Sequence, residues 1–159
     1  VARALVGHTD LMVISNNINI INLLSGSERK DLIMVGGRVR QSDGAVVGED
    51  AVEFINRYKV DYAVIGSSSL DADGAVLDYD AREVSVARAI LKNARTRILV
   101  ADASKIAVNA PVRICDVSEV DCVITDAAPP QSFVAAAHAG QTKIVIAETG
   151  ANEPPQPTH

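Results

Sequence analysis

The chain has 159 residues and a formal charge of −5, with 48% apolar residues but only 3% aromatic and no Trp. Its length fits one domain, and its core must be built from Val, Ile, Leu and Ala, which suits helices packed on a parallel sheet better than a β-sandwich. No apolar run approaches the ~18–20 residues of a membrane span, and no basic stripe offers a grip on nucleic acid.

Val1 to Gly7 reads as the last turns of a helix closed by glycine, with neither Met nor an N-cap ahead of it. The chain is therefore expected to begin inside an element. A strand from Leu11 to Ser15 leads into a helix that carries Ile18, Ile21 and Leu24 and ends near Ser25-Gly26. A second strand spans Asp31 to Val35. The stretch from Gly36 to Gly48 reads as a loop, with Val46-Val47 as a short strand inside it. Glu49 to Tyr58 is expected to be a helix with Val52 and Ile55 toward a core, followed by a strand from Asp61 to Gly66. The turn residues Asp71-Ala72-Asp73-Gly74 then predict a short hairpin arm into Val76-Leu77.

Asp80 opens the next helix, whose Val84, Ala87 and Leu91 share a face. A strand from Arg97 to Ala101 follows. Ile106 to Ser118, interrupted by Pro111, reads as irregular. Val120 to Thr125 is a strand, Pro130 to Ala139 a helix and Lys143 to Ala147 the last strand. The tail from Glu148, with three prolines and no apolar periodicity, is expected to be disordered. Apolar strands alternating with helices predict an α/β fold with a mostly parallel sheet flanked by helices. The ordered domain is expected over residues 1–147 and the tail over 148–159.

In an open α/β sheet, ligands bind outside the carboxyl ends of the strands. Here those ends carry Asn16-Asn17, Gly36-Gly37-Arg38, Ser67-Ser68 and Asp102-Ala103-Ser104-Lys105. Amides, hydroxyls, glycines and two cations suit a small phosphorylated polyol. Gly36-Gly37-Arg38 lets backbone N–H groups and a guanidinium approach an anion, or forms an ordinary tight turn. Asn16 caps the next helix, or both amides meet ligand hydroxyls. Asp80-Ala81-Arg82-Glu83 has capping-box spacing, so Glu83 either serves the helix start or accepts a ligand hydroxyl. Lys105 can reach a phosphate as a point charge, or is a solvated loop lysine, with Asp102 orienting it or capping the following turn.

Other chemistries lack their motifs. There is no G-x-G-x-x-G, no G-x-x-x-x-G-K-[ST] and no G-x-S-x-G. The three histidines are far apart and neither cysteine has ligand spacing, so no metal and no cofactor is expected. Cys115 and Cys122 read as reduced thiols. No signal-peptide core opens the chain, so the default compartment is the cytoplasm.

Together, Asp10-Leu11-Met12-Val13-Ile14-Ser15-Asn16-Asn17, Val35-Gly36-Gly37-Arg38, Gly48, Asp61 to Ser68, Glu83 and Ala101-Asp102-Ala103-Ser104-Lys105 resemble the effector-sensing domain of DeoR-type bacterial repressors. Asp121 to Asp126 fits a later strand of that family, and the resemblance runs from about Val1 to Ala147. Asp43 to Glu49, Leu77 to Asp80 and Thr125 to Pro130 look most like the branch that answers to glycerol-3-phosphate. The resemblance implies a ribose-5-phosphate isomerase/CoA transferase-like fold and a sensor that is not an enzyme. It implies a phosphorylated sugar or polyol as effector, glycerol-3-phosphate first, held by Asn16, Asn17, Gly36, Gly37, Arg38, Gly48, Ser67, Ser68, Glu83, Asp102 and Lys105. It also implies a homo-oligomer (dimer or tetramer), no membrane partner, and operator DNA bound only through a separate N-terminal helix-turn-helix.

The chain departs from the family pattern in three places. The strand and Asp-x-Gly-Thr/Ser-Thr phosphate loop that open family sensor domains are expected to precede the residues present. Ser69 stands where the family has Gly, and Ile106-Ala107 where it has Phe-Gly. Two other readings remain: a sugar-phosphate isomerase with Glu83 as base, and an oligomerisation module without a ligand. Isomerase chemistry lacks partners, because Ile65 and Ser68 fall where the enzyme carries two aspartates.

Overall fold

The computed structural model describes residues 1–147, so the tail from Glu148 lies outside the described residues. A short helix α1 (Ala2–Leu5) precedes β1 (Leu11–Ser15), α2 (Ile18–Ser25) and β2 (Lys30–Met34). The strands β1 and β2 pair in parallel, Leu11 opposite Lys30 and Ser15 opposite Met34. Asn17, not Asn16, caps α2: its side-chain oxygen accepts the Asn19 N–H at 2.9 Å, and Gly26 ends the helix.

The stretch expected to be a loop holds a hairpin, β3 (Arg38–Arg40) with β4 (Ala45–Val47), antiparallel. Two arginines flanking Val39 hid β3, because R-V-R shows no apolar face until Val46 pairs with Val39. α3 (Glu49–Ile55), shorter than expected, leads to β5 (Val60–Ile65). The predicted arm is β6 (Ser69–Leu70) with β7 (Ala75–Asp78), turning at Gly74 with φ +99°. α4 (Ala81–Lys92) runs directly into β8 (Ala94–Val100), which starts three residues earlier than expected, and a 3-10 turn covers Ala103–Lys105.

The segment read as irregular contains β9 (Val112–Asp116), which pairs with β7 as the third strand of a small antiparallel sheet, and a 3-10 turn (Val117–Glu119). Pro111 sits just before that strand, where the lack of an N–H costs no ladder bond. Then come β10 (Cys122–Thr125), α5 (Gln131–Ala139) and β11 (Lys143–Ile146). The main sheet is wholly parallel, in the order β11-β10-β8-β5, and β1 and β2 form a separate parallel pair. The expected mostly parallel arrangement is thus divided between two sheets. Among the described residues, no helix is long and apolar enough to cross a membrane.

One core cluster joins Ala63, Ile65, Leu99 and Val123 of the main sheet to Val84, Ala87 and Leu91 of α4 and Phe133 and Ala137 of α5. A second gathers Val35, Val46, Ala51 and Ile55 with Val86 and Ala89, on another side of the same α4. α4 is therefore apolar on two sides, of which the sequence pattern revealed one. Each buried Val, Leu or Phe contributes about 1.5–3 kcal/mol by leaving water. Parallel strands ordinarily bury both faces, yet Tyr62 and Val64 of β5 are exposed, as is Met12 of β1.

Both cysteines are free, Cys115 buried in β9 and Cys122 partly exposed. Burial, reinforced by Glu119 and Asp116, pushes the Cys115 thiol up to about 12. At pH 8 in the folded chain Cys115 should therefore resist iodoacetamide while Cys122 is labelled. Mass spectrometry showing Cys115 modified as fast as in urea would mean that β9 opens readily.

Candidate functional site

Polar contacts gather at the strand ends in separate groups. Where β1 ends, the Ser15 hydroxyl accepts the Asn17 N–H at 3.1 Å. Asn16 donates its side-chain amide to the Val46 carbonyl at 3.1 Å, while Asn17 and Asn19 both donate theirs to the Asp43 carbonyl, each at 3.1 Å. The amides thus tie the start of α2 to the turn of the β3–β4 hairpin. Among the described residues Asn16 Oδ1 accepts no hydrogen bond, leaving it open to a hydroxyl donor.

Gly37, at φ +142°, has no room for a side chain: a Cβ there would lie 2.9 Å from Val46 Cγ1. Gly37 therefore lets the chain cross close to β4, and Gly48, at φ +101°, starts α3. Gly36 and Arg38 are exposed, and Arg38 has no ion pair among the described residues. The engaged arginine is Arg40, two residues on and hence on the same strand face. Its guanidinium meets Asp43 at 2.5 and 3.0 Å, Asp80 at 3.1 Å and Glu83 at 3.0 Å. The one sequence signal for it was that two-residue spacing from Arg38.

The Asp80 side chain accepts the Arg82 N–H at 2.9 Å and so caps α4. Its carboxylate is held well below the usual range by the Arg82 side chain and N–H and by Arg40. Glu83 makes no capping-box bond back to Asp80 and turns instead toward Arg40. The contact at Glu83 Oε2 has ion-pair length without hydrogen-bond alignment, so this solvent-shielded oxygen lacks a hydrogen-bond partner. Burial raises the Glu83 pKa above the ordinary value; Arg40 opposes the rise and Asp43, Asp78 and Asp80 add to it.

At the end of β5, Ser67 Oγ is buried without a partner, and Ser68 Oγ donates to Asp78 at 2.9 Å. Ser69, fully buried, donates to the Val108 carbonyl, and Leu70 bridges to Ile106. These contacts bring the turn after β8 alongside the Ser67-Ser68 turn. In it, Asp102 accepts from the Ser104 N–H at 2.9 Å and from the Ser104 hydroxyl, which lower its pKa. Asp126, after β10, accepts the Ala103 N–H at 2.7 Å. Lys105 is half-buried and has no ion pair among the described residues. Ala107, where the family pattern has Gly, adopts φ +60°.

Asn17 and Glu83 are thus linked through Asp43 and Arg40, with Asn16 on the same hairpin; Ser68 is paired separately with Asp78, Lys105 lies on the adjoining turn, and Gly37 and Gly48 shape the chain. Asp43, Asp78 and Arg40 stand among these contacts as well; the sequence reading used the segments of Asp43 and Asp78 for the resemblance but placed none of the three among the site residues. A separate groove of about 590 Å³ lies between α3 and α4, lined by Gly48, Glu49, Val52, Glu53, Ala81 and Arg82 among others. Among the described residues no group of three or more His, Cys, Asp or Glu is placed to hold a metal ion.

Comparison with known proteins agrees with this architecture. The family model for the DeoR C-terminal sensor domain matches residues 1–127. The glycerol-3-phosphate regulon repressor of Escherichia coli (strain K12) is 42% identical over 134 residues, covering 84% of this chain and 53% of that protein. The glycerol-3-phosphate regulon repressor of Haemophilus influenzae is 41% identical over 146 residues, covering 92% and 56%. The HTH-type transcriptional repressor CsqR of Escherichia coli is 30% identical over 151 residues, covering 95% and 58%. The chain spans about half the length of the curated relatives it matches. With the family model and these relatives in agreement, the chain belongs to the DeoR family, as its C-terminal sensor domain.

Proposed function

We propose that this domain binds a phosphorylated sugar or polyol, glycerol-3-phosphate first among them, and so controls operator binding by a helix-turn-helix elsewhere in a cytoplasmic repressor. The observation that carries the reading is a set of groups around the strand ends with no hydrogen-bond partner among the described residues: the buried Ser67 Oγ and Glu83 Oε2, together with Asn16 Oδ1 and the Lys105 ammonium. Hydroxyls of the effector meet Asn16, Asn17, Ser67, Ser68 and Glu83. Lys105 takes the phosphate, on a turn that Asp102 holds, with Arg38 as a second cation. Gly36, Gly37 and Gly48 let the backbone come close. Two relatives named as glycerol-3-phosphate regulon repressors support the choice of effector.

The domain works as a homo-oligomer, a reading supported by exposed Met12, Tyr62 and Val64. Effector binding shifts its arrangement by no more than the difference in affinity between the two states. Calorimetric titration with glycerol-3-phosphate, alongside fructose and ribose phosphates, tests the assignment. Lys105→Ala should weaken the binding of the preferred ligand by about tenfold or more, the scale of a charge-assisted contact, with the far-UV circular dichroism unchanged. An unchanged affinity would remove Lys105 from the site, and no heat with any of the three would count against a polyol phosphate.

A further inference from the structure

Arg40 reaches from the β3–β4 hairpin to the first turn of α4, where among the described residues no other cation pairs with Glu83. The charged groups that face this carboxylate are Asp43 on the hairpin turn, Asp78 at the end of β7, and Asp80 on the helix start. Arg82, next along α4, is turned to Asp80 at 2.8 Å. Glu83 is thus a half-buried carboxylate beside three others, with Arg40 as its one ion-pair partner among the described residues, at 3.0 Å. Counted formally, four carboxylates stand against two guanidinium groups, so this end of the crevice is electronegative and repels a phosphate. Lys105, on the turn after β8, is a cation without an ion pair among the described residues.

Building on the proposed effector site, we infer that Arg40 is a positioning residue, which acts through Glu83 to make the α4 end of the crevice its hydroxyl-reading pole. The effector then lies with its hydroxyls toward Glu83 and its phosphate toward Lys105. Arg40 has no need to touch the ligand. It keeps Glu83 an acceptor where its surroundings favour the protonated, donating form. Without Arg40, burial and the neighbouring Asp43, Asp78 and Asp80 all act in one direction, toward protonation.

The first test needs no ligand. Carbon-13 NMR titration of the Glu83 carboxyl in the purified chain should show the midpoint rising by about one pH unit or more in Arg40→Gln. Arg40→Lys should recover most of that change. Asp43→Asn, which removes a neighbouring carboxylate and frees Arg40 for Glu83, should move the midpoint down. A role in packing alone gives no such pair of opposite shifts. A midpoint unmoved in Arg40→Gln, or moved the same way by Arg40→Gln and Asp43→Asn, overturns the inference. Should Arg40→Gln fail to fold, a fall in Asp43→Asn still supports it, and no fall there overturns it.

The second test uses glycerol-3-phosphate. The loss of affinity from pH 8 to pH 5 should be larger in Arg40→Gln than in wild type, the ligand's own phosphate ionisation near pH 6 being common to both. A loss no larger in the variant than in the wild type overturns the hydroxyl-reading role. Absence of binding by the wild type would defeat the effector assignment itself, while the carboxyl titration would still decide the control of Glu83 by Arg40.

Discussion

Replacing Phe133 with alanine is expected to lower the unfolding free energy by about 3–5 kcal/mol, the range for truncating a buried aromatic. Phe133 is 1% exposed and belongs to the main core with Leu99, Val123 and Ala137. It is one of two phenylalanines in a chain without Trp, and the rest of its core cluster is Val, Ala, Leu and Ile with Cys115. Short branched side chains on sheet strands cannot swing into the void, so most of the cavity would remain. Urea denaturation followed by circular dichroism should show the midpoint falling with the slope unchanged. A loss below about 1.5 kcal/mol would mean that α5 sits loosely on the sheet and settles into the space.

Alanine at Gly140 should be nearly as damaging for the opposite reason. A Cβ there would fall 2.3 Å from Ser118 Cβ and 2.4 Å from Ser118 Cα, atoms of a turn with nowhere to go. The glycine has φ −88°, open to any residue, so the cost is wholly steric. The neighbouring Thr142 hydroxyl is bonded to the Val117 and Val120 carbonyls, at 2.9 and 2.7 Å, which fixes the end of α5 against that turn. Overpacking of this kind costs about 2–3 kcal/mol, or roughly 5–10 °C in melting temperature for a domain of this size. A melting temperature within a degree of wild type would show that the α5 end and the 117–119 turn separate freely.

Periodicity and turn chemistry made much of the fold legible. Leu11 to Ser15 stands out as an apolar run bounded by Asp10 and Asn16, and Val84, Ala87 and Leu91 repeat at helical spacing, so these elements lie where the sequence places them. The misses share a cause. β3 and β9 are short strands whose pairing comes from distant segments: Arg38–Arg40 looks polar until Val46 lies across from Val39, and Val112 to Asp116 gains its meaning from β7. Local residues carry no record of a partner that far along the chain. The site divides in the same way. Strand-end residues were legible because the carboxyl end of a parallel strand is a position within the pattern. Arg40 and Asp43 were not, because their importance lies in meeting Asp80 and Glu83 some forty residues later.

The two-sided burial of α4 has a mechanical meaning. A helix of 12 residues is a rod of about 18 Å, and this one is clamped along its length, Val84, Ala87 and Leu91 in one core and Val86 and Ala89 in the other. Close-packed interiors deform little and pass strain on. A push on the first turn of the rod, where Asp80 and Glu83 meet the hairpin, therefore cannot be absorbed locally. The rod tilts as a lever, and both halves of the domain must re-pack around it together.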